Sequence, residues 1–152
     1  MINYKFNQDI FESTADFIII PVNTIGVMGA GLALSFKTRF PKRFQLYKEL
    51  CYSGELDICK PALVYRDDNR IIGEPSHNGF VLFPTKKHYK DSSKIEVIAG
   101  NLEYMRNNLT LPLFSAWPKV GCGLGKLNWD NVLPLMLSYF NLYDKVDYEI
   151  YI

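Results

Sequence analysis

Short apolar runs alternate along this chain with stretches whose apolar residues recur every three or four positions. Residues 2–6 alternate apolar and polar, as a half-buried strand does. Residues 17–22 (FIIIPV) are continuously apolar and β-branched, the pattern of a strand buried on both faces. A glycine-studded turn over 23–31 follows, then helix formers over 32–37. After Pro41, the spacing of Phe44, Tyr47, Leu50 and Cys51 predicts a second helix, closed by Ser53-Gly54. Strands are predicted over 62–66 and 79–83, with a polar loop between them. Ser93-x-x-Glu96 reads as a capping box opening a helix with Ile95, Ile98, Leu102 and Met105 on one face. A strand over 110–116 feeds a second glycine turn at 120–125. Asn128 then caps a helix to about Tyr139, in which Pro134 should remove a backbone hydrogen bond and introduce a kink. Residues 148–152 read as a terminal strand.

Strands that alternate with helices in this way imply the α/β class: a three-layer α/β/α sandwich around a mixed sheet. The chain shows no repeats, linkers or low-complexity segments, so residues 1–152 are expected to form one domain.

Composition narrows the function classes. Apolar residues make up 48% and charged residues 22%, which excludes a disordered or fibrous chain. A net charge of +1 gives no electrostatic reason to expect general nucleic-acid binding or a polybasic membrane anchor. Local geometry can still hold a phosphate. No apolar run reaches the roughly 18 residues that span a bilayer, and MINYKFNQDIF does not read as a signal peptide. Cys51, Cys59 and Cys122 are an odd number without metal-like spacing, which suits a reducing cytosol. His77 and His88 are too few and too scattered for a zinc site. A cytoplasmic protein with no metal, no cofactor and no membrane partner is expected.

The two glycine clusters each lie after a buried strand and before a helix. In an open α/β sheet, ligands bind at the carboxyl ends of the strands. Glycines there let backbone N–H groups approach a phosphate, and a helix N-terminus adds favourable partial charge. Two such loops side by side could hold a diphosphate; ligand-free tight turns are the other reading. Neither cluster carries the Lys-Ser/Thr of a P-loop, and Gly26-x-x-Gly29-x-Gly31 lacks the spacing of a dinucleotide fingerprint.

Particular residues go further. These are Val22-Asn23-x-x-Gly26-Val27-Met28-Gly29-Ala30-Gly31-Leu32-Ala33-Leu34-x-Phe36-Lys37 with Phe40-Pro41; Phe83-Pro84-Thr85-Lys86-Lys87-His88-Tyr89; and Gly121-Cys122-Gly123-Leu124-Gly125-x-Leu127-Asn128-Trp129. In order and spacing they resemble the ligand signatures of macrodomains, in particular the DarG-type branch of DNA ADP-ribosyl glycohydrolases. The resemblance covers essentially the whole chain. It implies a mixed sheet of about six strands with ADP-ribose in its crest. Asp9 would accept from the adenine amino group beside the Ile10 backbone, although an exposed turn carboxylate is an equal structural role. Asn23 would contact the distal ribose, and Gly26, Val27, Met28, Gly29, Ala30, Gly31 and Leu32 would wrap the diphosphate and that ribose. Gly121, Cys122, Gly123, Leu124 and Gly125 would supply the opposing loop. Cys122 reads as a small buried hydrophobe rather than a nucleophile. Tyr151 is a candidate to pack on the adenine.

In the DarG-type branch the lysine after Phe-Pro-Thr is catalytic, which makes Lys86 the implied catalytic residue. It would attack the anomeric carbon as a neutral amine or polarise the site as a cation; the alternative is one of several solvated lysines. A human relative that acts on glutamate carries an aspartate where this chain has Gly125, so the same mechanism is not expected here. The implied substrate is ADP-ribosylated thymidine in single-stranded DNA or an ADP-ribosylated protein side chain, with Tyr89 and Trp117 as candidates to stack on exposed bases. Hydrolysis of ADP-ribose 1″-phosphate and non-catalytic reading of ADP-ribose are the alternative functions. The chain is expected to act as a monomer, and its length leaves no room for an antitoxin's toxin-binding domain.

Overall fold

A central strand that is apolar on both faces must be covered on both sides, and here that sets the architecture. In the computed structural model, which describes residues 1–66, 78–109 and 114–152, strand β2 (Phe17–Asn23) lies at the middle of a six-stranded sheet. The other strands are β1 (Ile2–Lys5), β3 (Ala62–Tyr65), β4 (Gly79–Lys86), β5 (Ser115–Trp117) and β6 (Tyr148–Tyr151). Their order is β1-β6-β5-β2-β4-β3. All neighbours are parallel except β3, which runs antiparallel to β4 at one edge.

Each face of the sheet has its own core. Ile18, Ile20 and Val22 of β2 join Phe80 and Leu82 of β4 on one side, under Phe36 of α1 (Gly31–Arg39) and Phe44 and Tyr47 of α2 (Pro41–Ser53). Phe17, Ile19, Val81 and Phe83 point the other way, against α3 (Ile95–Asn108) and α4 (Trp129–Phe140). Ile18, Ile19 and Ile20 are all fully buried, and each stabilises the fold by roughly 1.5–3 kcal/mol relative to exposure. The predicted three layers and mixed six-stranded sheet are present.

Several boundaries and local expectations change. β4 runs three residues past the predicted end, through Pro84 to Lys86. β3 stops pairing at Leu82, so beyond that point β4 has no strand partner on that side among the described residues, and the missing proline N–H costs little. The capping box at Ser93 does not form: α3 starts at Ile95 with Lys94 as N-cap and no side-chain cap. Ser93 is drawn instead into the second glycine loop, its N–H donating to the Gly125 carbonyl. Asn128 does cap α4, accepting from the Asp130 N–H, and that helix continues across Pro134 to Phe140. Part of the predicted strand at 110–116, the polar loop before β4 and His77 lie outside the described residues. No helix among the described residues is long and apolar enough to cross a membrane.

A candidate ligand cleft at the strand ends

The parallel strands β2, β4 and β5 deliver their carboxyl ends to one place. There Pro21, Val22 and Asn23, Thr85 and Lys86, and Pro118 and Lys119 border a cleft of about 560 Å³, a size suited to a small-molecule ligand. Val27 to Ala33 line it from the first glycine loop and the start of α1. Gly121, Gly123, Leu124 and Gly125 line it from the second.

The first loop is built around one side chain. Asn23 is buried; its Oδ1 accepts from the N–H groups of Ile25 and Val27, at 3.2 and 3.3 Å, and its Nδ2 donates to the Val27 carbonyl at 2.8 Å. From beneath, the fully buried Tyr47 of α2 brings its hydroxyl within 2.8 Å of Asn23 Oδ1 and of the Asn23 carbonyl. Burial first, and then the neighbouring Cys51 thiol, push the Tyr47 phenol far above the tyrosine range, so it stays a neutral donor. Gly26, at φ +84°, lets the loop turn over the Lys48 side chain.

The loop ends at an uncapped helix. Ala30 precedes α1 and provides no side-chain cap, and no acidic residue occupies the first turn. Ala30, Gly31, Leu32 and Ala33 all border the cleft, so the positive end of α1 is presented to it, a favourable place for an anion. A side chain anchors this helix: Phe36 is fully buried, its ring 4.8 Å from Phe80 and nearly perpendicular to it.

The second loop is not equivalent to the first, because Asn128 already caps the helix that follows it. Its shape comes from close packing. Gly121 adopts φ +73°, and its carbonyl accepts from the Leu127 N–H. A Cβ on Gly125 would lie 2.5 Å from the Gly121 carbonyl oxygen and closer still to the Ser93 hydroxyl. An aspartate at this position therefore has no space on this backbone. The Ser93 hydroxyl is buried beneath the loop with no hydrogen-bond partner among the described residues.

Lys86 ends β4 in register with Asn23 of β2, just past an irregularity between Val22 and Asn23. Its Nζ donates to the carbonyls of Tyr89 and Asp91, 3.1 Å each. Two of the three ammonium donors are thus fixed by described residues. The turn that supplies those carbonyls is itself tied, by Asp91 N–H to the His88 carbonyl, His88 N–H to Asp91 Oδ2 and Lys90 N–H to His88 Nδ1.

The cleft thus gathers Lys86, Asn23, Val27 to Leu32, Gly121, Gly123, Leu124 and Gly125; Gly26, Cys122, Asp9 and Ile10 are not among its lining residues. Asp9 follows β1; one carboxylate oxygen caps the short turn Ile10–Glu12 and the other meets Arg39 at 3.0 Å. Ile10 is buried in the core. Burial pushes the Cys122 thiol up despite the charge of Lys119, and its side chain packs against the second core, as a small hydrophobe does. Trp117 cannot stack on a base: it is fully buried against Phe83 and Phe140, its indole N–H given to Ser115 Oγ. Tyr151 is partly buried on the first core and donates to Glu149. Sequence patterns miss Thr85, Pro118, Lys119 and Tyr47; the Pro-Lys step between strand end and glycine turn is the one available signal.

No family model matches the chain. A DNA ADP-ribosyl glycohydrolase of Mycobacterium tuberculosis is 37% identical over 99% of this chain and 42% of its own length. A DNA ADP-ribosyl transferase–glycohydrolase fusion protein of Thermosipho africanus is 36% identical over 86% of this chain and 37% of its own length. The chain therefore spans about two-fifths of these relatives. Among solved structures, the macrodomain of Mycobacterium tuberculosis DarG superposes with a TM-score of 0.88 at 34% identity, covering 99% of this chain and 97% of that one. Thermosipho africanus DarTG in complex with ADP-ribose superposes with a TM-score of 0.85 at 34% identity, over 98% of this chain and 41% of that one. With sheet order, cleft and an end-to-end solved relative in agreement, this chain belongs to the macrodomain family, in its DarG-type branch.

Proposed function

We propose that the cleft binds ADP-ribose and that the chain hydrolyses the bond between ADP-ribose and DNA, with thymidine in single-stranded DNA as the acceptor. The position of Lys86 carries the proposal: an ammonium at the cleft wall, beside Asn23 and between two loops suited to phosphates. The diphosphate lies against the positive end of α1 and the backbone of Gly121 to Gly125, and the distal ribose reaches Asn23 and Lys86. Asp9 and the Ile10 backbone, which follow the carboxyl end of β1, receive the adenine. Related proteins named DNA ADP-ribosyl glycohydrolases, and a relative solved with ADP-ribose, support this assignment.

In hydrolysis the bond from C1″ to the acceptor breaks; water gives its hydroxyl to C1″ and a proton to the acceptor. Held by two carbonyls, Lys86 is placed as a fixed cation that stabilises negative charge on the departing base. Attack by Lys86 itself requires the amine to shed a proton and leave both carbonyls. The resting geometry favours the cationic role.

The test is incubation with thymidine-ADP-ribosylated single-stranded DNA. Wild type should release ADP-ribose, and Lys86→Ala should lose turnover while still binding ADP-ribose in calorimetry. Equal release by both proteins would remove Lys86 from the chemistry. Phosphate release from ADP-ribose 1″-phosphate, with modified DNA untouched, would make the protein a phosphatase instead. Binding without turnover of either substrate would make it a reader.

A further inference from the structure

The turn that holds Lys86 also presents an aromatic ring to solvent. Tyr89 borders the cleft yet is 48% exposed. It is not a loose surface residue, because the turn is fixed by the hydrogen bonds of His88, Lys90 and Asp91 and by both Lys86 contacts. The His88 ring packs against one face of the Tyr89 ring, with centroids 4.3 Å apart at 31°, so the two form a tilted stack that backs the tyrosine. Lys90 Nζ sits 5.9 Å from the Tyr89 centroid, and Lys119 borders the same cleft. Across the cleft, Leu124 of the second loop is 68% exposed. A rigid, half-exposed ring contributes little to folding. Beside Lys86 and among cations, it offers what an unpaired nucleobase and its phosphate recognise.

We infer that the exposed part of the Tyr89 ring, backed by His88, is a stacking ledge for a base of single-stranded DNA that flanks the modified nucleotide, with Lys90 and Lys119 meeting the adjoining phosphates. Duplex DNA buries its base faces, so such a ledge favours an unpaired strand. The ledge rests on the proposed DNA substrate and adds to it a polynucleotide preference located at the rim of the ADP-ribose cleft.

The experiment compares kcat/KM for ADP-ribosylated thymidine nucleoside with that for the same adduct inside a short single-stranded oligonucleotide. Wild type should favour the oligonucleotide. Tyr89→Ala should reduce that preference about tenfold, consistent with the loss of one base–aromatic stack; Tyr89→Trp should keep it, and Lys90→Ala should flatten the salt dependence of the oligonucleotide reaction. ADP-ribose affinity, measured in parallel, identifies a ring that serves the ribose. Equal wild-type turnover of nucleoside and oligonucleotide would overturn the ledge and leave the proposed function standing. So would an equal slowing of both substrates by Tyr89→Ala, or a matching loss of ADP-ribose affinity. Release from neither substrate would overturn the proposed function itself.

Discussion

Asn23 and Lys86 are register partners at the carboxyl ends of β2 and β4, one step past a local irregularity in their ladder. One organises a glycine loop through four side-chain contacts; the other fixes the neighbouring turn through two carbonyls. The loops are also joined directly, since the Thr24 N–H donates to the Lys87 carbonyl at 3.0 Å. The first glycine loop and the candidate catalytic amine therefore share one rigid base.

That coupling makes Asn23→Ala informative. It frees the Ile25 and Val27 N–H groups and the Val27 carbonyl and leaves Tyr47 without its side-chain acceptor. A loss of about 1–3 kcal/mol in ADP-ribose binding is expected, roughly 5- to 150-fold in Kd. Calorimetry measures it, and unchanged affinity would mean that the loop orders itself without this side chain.

Gly125→Asp should be much worse tolerated than its place in a glycine turn suggests, because Gly125 is buried. The new Cβ meets the Gly121 carbonyl and the Ser93 hydroxyl, so the loop must move. Thermal unfolding should show destabilisation of about 1–3 kcal/mol, the usual range for overpacking. Pairing it with Ser93→Gly should recover part of the loss, since the carbonyl clash persists. Wild-type stability in the single variant would show that the loop yields freely.

Phe36→Ala removes the one fully buried anchor of α1. A cost of about 3–5 kcal/mol is expected from the lost burial and the cavity left against Phe80. Denaturant unfolding gives the value. Weaker ADP-ribose binding at temperatures where the variant remains folded would connect that anchor to the placement of the helix N-terminus.

Tyr148 supplies a pH prediction. Its hydroxyl is buried with no partner among the described residues, and its ring stacks on Phe140 at 4.1 Å. Burial, and then the Tyr143 phenol, push it up to about 12. Because the folded value exceeds the usual tyrosine value of about 10, its contribution is complete below pH 10 and is lost as pH rises towards 12. Tyr148→Phe should leave neutral-pH stability unchanged or slightly higher and extend the alkaline limit. An alkaline unfolding profile identical to wild type would assign that limit to other groups, Tyr151 among them, which burial also pushes up to about 12.

Residues 17–22 reveal the three layers in sequence because a strand with no polar face needs a cover on each side. The glycine loops are equally visible, and so is Lys86 once the surrounding motif is matched. Other features depend on neighbours distant in the chain. Pro84 looks like a strand terminator until the short length of β3 is known. Ser93 has the spacing of a cap, but a carbonyl thirty-two residues later in the chain holds it elsewhere. Trp117 and Tyr89 are both aromatics near the cleft, and only the packing of α4 decides that one is core and the other surface. Tyr47 supports the first loop from another helix, a relationship that residue spacing does not encode.

The contacts around Asn23 are all internal to the protein, and they have a thermodynamic consequence. A cradle already folded into shape surrenders little chain freedom when a guest arrives, so more of the contact energy appears as affinity. Such a template also selects by outline, since a diphosphate of the wrong span meets walls that do not readjust to receive it.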